Sequence, residues 1–281
     1  MATGTVIPAG LNLRETPGGT VITVLPQGTT VEILEDQGNF LKVNALGQTG
    51  FVAAQFIQRG GAGVGINATV VIDPGHGGTG NLGGSDGNHA VGPITGVKEK
   101  ALTLILANLL RTELQNAAAA GGHNINIVMT RTTDVNLSLA ARAHFARDNH
   151  ADRFVSIHLN ASDGHNARGV ETWIRQAQDN VNLNDDRRFA TKIQRAVFNA
   201  IEARDSATND RGIKEGQFGV LRDDSLGNTS GGHCRACLLE VEFLDFPAVD
   251  VLLNSGPNAT ALRSEIGKAI ARAIVDDLEH P

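Results

Sequence analysis

Two histidines and two carboxylates in this sequence have the types and surroundings to do chemistry. His76 stands in VVIDPGHGG, where Val70, Val71 and Ile72 form the β-branched run of a buried strand and Asp73, Pro74 and Gly75 stop it. Gly77 and Gly78 then let the backbone fold closely around whatever the imidazole holds. Glu99 opens the next helical segment, where the helix dipole by itself favours a glutamate. His158 ends the otherwise apolar strand FVSIHLNA, at the edge where α/β proteins gather their sites. Glu240 lies within CLLEVEFLDF, and a carboxylate buried in so apolar a strand needs a partner. Two imidazoles and a carboxylate with an open fourth position form a catalytic zinc set, in which the ion lowers the pKa of its water to about 7. A second carboxylate can then move protons. Separations of 23, 59 and 82 residues draw the four from several elements rather than from one local helix motif.

The elements that must position them follow from periodicity. From residue 66 onward strands and helices alternate, which argues for an α/β layer architecture. Leu102, Ile105, Leu106, Leu109 and Leu110 give the first helix one apolar face. Ile125 to Met129 reads as a strand, Leu137 to Arg147 as a helix, and Arg153 to Leu159 as a strand in which Phe154, Ser156 and His158 share a face. Between His158 and Glu240 the pattern gives one helix, near residues 187 to 203, and otherwise loop. Leu238 to Phe243 is a further strand, and Leu262, Ile266, Ile270 and Ile274 mark a closing helix. Residues 1–59 differ, with short alternating stretches at Val21 to Leu25, Thr30 to Leu34 and Phe40 to Val43 that suit a small all-β barrel. A glycine-rich link over 60–66 separates this module from an α/β domain over 67–281.

Bulk properties narrow the function classes. The 281 residues are 41% hydrophobic and 19% charged, as in ordinary globular chains. A formal charge of −6 with no basic run speaks against nucleic acid as a partner. No apolar run reaches the roughly 18 residues of a membrane span. The start, MATGTVIPAG, lacks the basic and apolar regions of a signal peptide, so either a leader has been removed or export uses another route. Cys234 and Cys237 read as two inert thiols, with a local disulfide or half of a metal site as alternatives. His89, His123, His144, His150, His165 and His280 read as packed or solvated side chains, His89 being the one able to approach a cleft.

From about Thr69 to Leu278 the chain resembles the zinc-dependent N-acetylmuramoyl-L-alanine amidases. The resemblance rests on Val71-Ile72-Asp73-Pro74-Gly75-His76-Gly77-Gly78, Val97-Lys98-Glu99-Lys100, Met129-Thr130-Arg131 with Asp134, Leu139 and Arg142, and Ser156-Ile157-His158-Leu159-Asn160-Ala161. It extends through Gly169-Val170-Glu171-Thr172, Arg211-Gly212-Ile213-Lys214 and Leu238-Leu239-Glu240. It implies a mixed, mostly parallel sheet flanked by helices, and one Zn²⁺ held by His76, Glu99 and His158. It further implies that a zinc-bound water attacks the amide between the lactyl group of N-acetylmuramic acid and L-alanine in peptidoglycan, with Glu240 as general base and acid. Residues 9–57, including Leu11-Asn12-Leu13-Arg14, Gly28 and Gly50-Phe51-Val52, are similar to bacterial SH3-type domains, which implies a wall-targeting or spacing module, or one that docks a delivery partner.

Phe40 and Phe51 stand where that family commonly has tryptophan and are read as barrel-core residues. Glu242, two residues beyond Glu240, is read as a group behind the site or an ordinary surface residue, and His233 as an exposed loop histidine. The long insertion that blocks the zinc in some relatives is not evident, so an open site needing no activator is expected. The implied location is the cell envelope or the outside of the cell, with delivery to another cell's wall as a lysin or toxin the alternative. A non-catalytic wall-binding protein is the competing reading.

Overall fold

The structure is a computed structural model and describes residues 2–60, 65–229 and 233–281. The link expected at 60–66 falls largely on 61–64, outside the described residues.

Alternation of apolar and polar residues makes the first module a seven-stranded antiparallel sheet, β1 (Ala2–Val6), β2 (Gly10–Arg14), β3 (Val21–Pro26), β4 (Thr30–Asp36), β5 (Phe40–Ala45), β6 (Gln48–Ala53) and β7 (Ile57–Gly60). The strands lie in the order β3-β2-β6-β5-β4-β1-β7. Leu11 and Leu13, Val31, Leu41 and Val43, and Val52 point inward and form its core. The β5–β6 hairpin closes through Leu46 and Gly47, both at positive φ (51° and 76°), the geometry whose twist suits a two-residue hairpin. Phe40 and Phe51 are not core residues as expected: both are half-buried and stand outside the apolar cluster.

The second module is a six-stranded sheet of β8 (Asn67–Pro74), β9 (Asn124–Met129), β10 (Arg153–Asn160), β11 (Val170–Arg175), β12 (Asp210–Gly216) and β13 (Arg235–Phe243). Its order is β12-β11-β13-β10-β8-β9, with every neighbouring pair parallel except β11 and β13. The sheet is therefore mixed and mostly parallel, as expected. Two strands, β11 and β12, fall where the sequence suggested only loop.

Helices cover both faces: α1 (Glu99–Gly121), α2 (Leu139–Asp148), α3 (Leu183–Glu202), the short α4 (Asp223–Leu226) and α5 (Pro247–Asp250), and α6 (Ala259–Glu279). Val70 and Ile72 face one side with Leu106 of α1, Ile193 of α3 and Ile270 of α6. Val71 faces the other with Phe154, Ala143 of α2 and Leu226 of α4. Burial on both faces is why β8, β10 and β13 read as near-continuous apolar runs. The second face carries the shorter helices α2 and α4.

The same alternation settles the cysteines. Cys234 packs in the second cluster and Cys237 in the first, so they lie on opposite faces of the sheet and cannot pair. Both are buried free thiols whose pKa burial pushes up. The reading as inert thiols holds, and the disulfide alternative does not.

Candidate metal centre

The turn after β8 is built by its neighbours. Asp73 is fully buried and accepts hydrogen bonds from Thr130 Oγ1 (2.5 Å), Ser156 Oγ (2.7 Å) and Arg142 Nη1 (2.8 Å). Burial alone would raise its pKa, but Arg142 and the two hydroxyls outweigh it and hold the carboxyl below its ordinary value. Arg142 also donates to the carbonyls of Pro74 (2.8 Å) and His76 (2.7 Å), while Arg131 donates to those of Pro74 (2.9 Å) and Gly75 (2.7 Å). Two guanidinium forks thus fix three successive carbonyls. They hold His76 at φ 59°, a backbone region that side-chain-bearing residues seldom adopt, and so aim its ring.

Three donor atoms converge there. His76 Nε2 lies 3.0 Å from Glu99 Oε1 and 3.1 Å from His158 Nδ1, and the latter is 3.2 Å from Glu99 Oε1. Glu99 begins α1, and its carboxylate also accepts from the backbone N–H of Ala90 (2.9 Å) and Leu159 (3.0 Å). His158 is close enough to join because residue 75 is glycine: a Cβ there would sit 2.3 Å from the imidazole Cε1. Burial works against charge on both Glu99 and His76. The two imidazoles nevertheless hold the Glu99 carboxyl far below its usual range, and the Glu99 and Asp86 carboxylates raise His76. Two imidazole nitrogens and a carboxylate oxygen, all within 4.8 Å of one another, form a donor set suited to a transition-metal ion such as zinc.

Glu240 lies in register with His158 on one side and with Glu171 of β11 on the other. Its Oε2 is buried and has no hydrogen-bond partner among the described residues. Burial, with Glu99 and Glu171 adding repulsion and Lys214 opposing it, pushes its pKa well up. Glu242 differs: it is fully buried and accepts from the N–H of Gly169 (2.7 Å) and Phe243 (3.0 Å) and from Thr208 Oγ1 (2.8 Å). It is therefore an anchor for the loop before β11, and not a surface residue.

His76, Glu99, His158 and Glu240 line a cleft of about 400 Å³. Trp173, Phe218, Val220 and Leu238 form an apolar wall, the two aromatic rings meeting edge to face at 5.2 Å. Glu171 was quoted in the sequence without a role. It accepts from Asn160 (2.8 Å), Trp173 Nε1 (3.0 Å), Arg211 (2.6 Å) and Lys214 (2.5 Å), which outweigh burial and lower its pKa. His89 sits on the cleft rim with its side chain 64% exposed, His233 is exposed, and His165 pairs with Asp245 at 2.8 Å.

Comparison with known proteins gives the family of each module. The N-acetylmuramoyl-L-alanine amidase family matches residues 70–276, and the bacterial SH3 domain family matches residues 9–58. An uncharacterised cell wall amidase of Bacillus anthracis is 32% identical over 222 residues, covering 75% of this chain and 35% of that protein. The sporulation-specific N-acetylmuramoyl-L-alanine amidase of Bacillus subtilis is 35% identical over 158 residues, covering 56% of this chain and 52% of its own length. The chain thus spans about a third to a half of these two curated relatives. The crystal structure of an N-acetylmuramoyl-L-alanine amidase from Clostridium difficile 630 superposes with a TM-score of 0.60 at 29% identity, over 76% of this chain and 98% of that one. Residues 70–276 are most of the chain, and the protein belongs to the N-acetylmuramoyl-L-alanine amidase family.

Proposed function

We propose that the protein is a zinc-dependent hydrolase of peptidoglycan that cuts the amide between the lactyl group of N-acetylmuramic acid and the L-alanine of the stem peptide. The observation that carries this reading is the meeting of His76, Glu99 and His158 beside Glu240, whose buried Oε2 has no hydrogen-bond partner among the described residues. His76, Glu99 and His158 would hold one Zn²⁺. When bound, the ion supplies Lewis acidity, which lowers the pKa of water and polarises a carbonyl.

Glu240 handles the protons. Its carboxylate takes a proton from the water whose oxygen adds to the amide carbon, and gives it to the alanine nitrogen as the C–N bond breaks. One product is the lactyl carboxylic acid and the other a free amine. Burial raises the pKa of Glu240, which suits the half of this cycle in which the group holds the proton and passes it to the nitrogen. The apolar wall of Trp173, Phe218 and Leu238 limits water access on one side of the reacting groups.

Action on the wall outside the cytoplasm fits this chemistry, and the SH3-like module is proposed to hold the enzyme on its polymeric substrate. Because the cleft is lined by the ligands and Glu240 together, no displacement by an activator is required.

Digestion of purified sacculi followed by mass spectrometry of the products tests the reading. Intact sugar chains and stem peptides with a free L-alanine amino group are expected. Release should stop on chelation, return with Zn²⁺, and fall at least a thousandfold in Glu240→Gln without loss of the fold. A zinc-loaded protein that binds sacculi and releases nothing would instead support a wall-binding role.

A further inference from the structure

The proton on His76 follows from what surrounds its ring. Nδ1 lies 2.6 Å from Asp86 Oδ1 and 3.2 Å from the Asp86 carbonyl oxygen. Both neighbours are hydrogen-bond acceptors, so Nδ1 must carry the hydrogen. Whenever the ring is neutral its lone pair is then on Nε2, the atom that meets Glu99 Oε1 and His158 Nδ1.

The segment bearing Asp86 is pinned independently of its side chain. Asn136 donates to the Ser85 carbonyl (2.9 Å) and accepts from Ser85 Oγ (2.9 Å), and Gly77 N–H donates to the Gly87 carbonyl (3.0 Å). The Asp86 carboxylate is thus a group added to an already fixed loop.

We propose that Asp86 is a positioning residue for the metal ion. Its carboxylate takes the hydrogen bond from His76 Nδ1, holds the imidazole in the tautomer that offers Nε2 to the ligand set, and raises the basicity of that nitrogen. The inference rests on the reading that His76, Glu99 and His158 bind zinc, and adds the group that sets how tightly. Carboxylates behind ligating imidazoles commonly govern affinity by about tenfold to a hundredfold.

Zn²⁺ affinity of the full chain, measured by competition with a chromophoric chelator, tests this alongside ¹⁵N spectra of the His76 ring in the zinc-free protein. Asp86→Ala is expected to weaken Zn²⁺ binding at least tenfold and to shift His76 from the Nδ1–H form to a mixture of tautomers. Asp86→Asn keeps an accepting oxygen and should restore the tautomer and part of the affinity. Affinity of Asp86→Ala within threefold of the parent, with the tautomer unchanged, would overturn the proposal. So would a loss in Asp86→Ala that Asn does not rescue and that comes with a lower melting temperature of the zinc-free chain, which marks a structural role. If the parent protein itself binds no zinc, it is the reading of the three ligands that fails.

Discussion

One hydrogen atom at residue 75 decides how near the two histidines can come. Gly75 has no positive φ, so alanine meets no backbone strain there; the obstacle is the His158 ring, 2.3 Å from where a Cβ would be. Gly75→Ala is therefore expected to leave folding largely intact while weakening Zn²⁺ binding at least tenfold by the same chelator competition, and an affinity within threefold would refute the steric argument. At this scale the sequence marked His76, Glu99, His158 and Glu240, because each is a polar group at the end of, or inside, an apolar element. Asp86 and Glu171 were not marked. Asp86 lies in a loop with no periodicity, and its significance comes only from folding back ten residues onto His76. Glu242 was ambiguous because strand alternation gives it the same face as Glu240; only the N–H and hydroxyl donors around it, absent around Oε2 of Glu240, separate the two.

Elements explain the rest of what could be read. The strands β8, β10 and β13 announce themselves because both of their faces are buried, which demands apolar residues at consecutive positions. Strand β12, DRGIKEG, sits at the sheet edge with its residues exposed or half-buried, so nothing obliges it to be apolar, and the sequence hid it. Strand β11 was hidden for a different reason: Glu171, Trp173 and Arg175 alternate with inward residues, but the outward row serves the cleft and its charges. The start of α3 carries a testable conflict. Asp186 in its first turn accepts from the Ala236 N–H (2.8 Å) and Asn180 (2.9 Å), tying the helix to β13. A helix N-terminus favours an anion, yet burial, with Asp223 and Asp185 nearby, raises the pKa from 3.8 to about 7. Between those values the folded state binds more protons than the unfolded chain, so this residue's stabilising contribution is full below pH 4 and is lost as pH rises to 7. The stability difference between Asp186→Asn and the parent should therefore move in favour of the variant by up to about 4 kcal/mol from pH 4 to pH 8. Urea unfolding of both proteins at the two pH values measures it, and a difference that stays constant would show that Asp186 is ionised throughout.

At the scale of the whole molecule, two modules with separate apolar cores suggest separate duties. If the SH3-like module serves to hold the enzyme on its polymer, a chain beginning at residue 66 should cleave small soluble muropeptides at the parent rate but bind sacculi more weakly in a pelleting assay. Unchanged pelleting would assign wall binding to the larger module. Among the described residues no helix is long and apolar enough to cross a membrane.

The two cysteines, one in each of the apolar layers that sandwich the β8–β13 sheet, have a use that does not depend on catalysis. In the closed molecule neither sulfur meets solvent, and burial keeps both protonated. An alkylating reagent therefore ignores native molecules and marks only those that have opened. Because the sulfurs report from opposite sides of the sheet, unequal labelling would reveal one layer peeling away while the other holds. The protein thus carries a two-channel clock for its own unfolding, already wired in at the start of the strand that bears Glu240, one sulfur just before it and one within it.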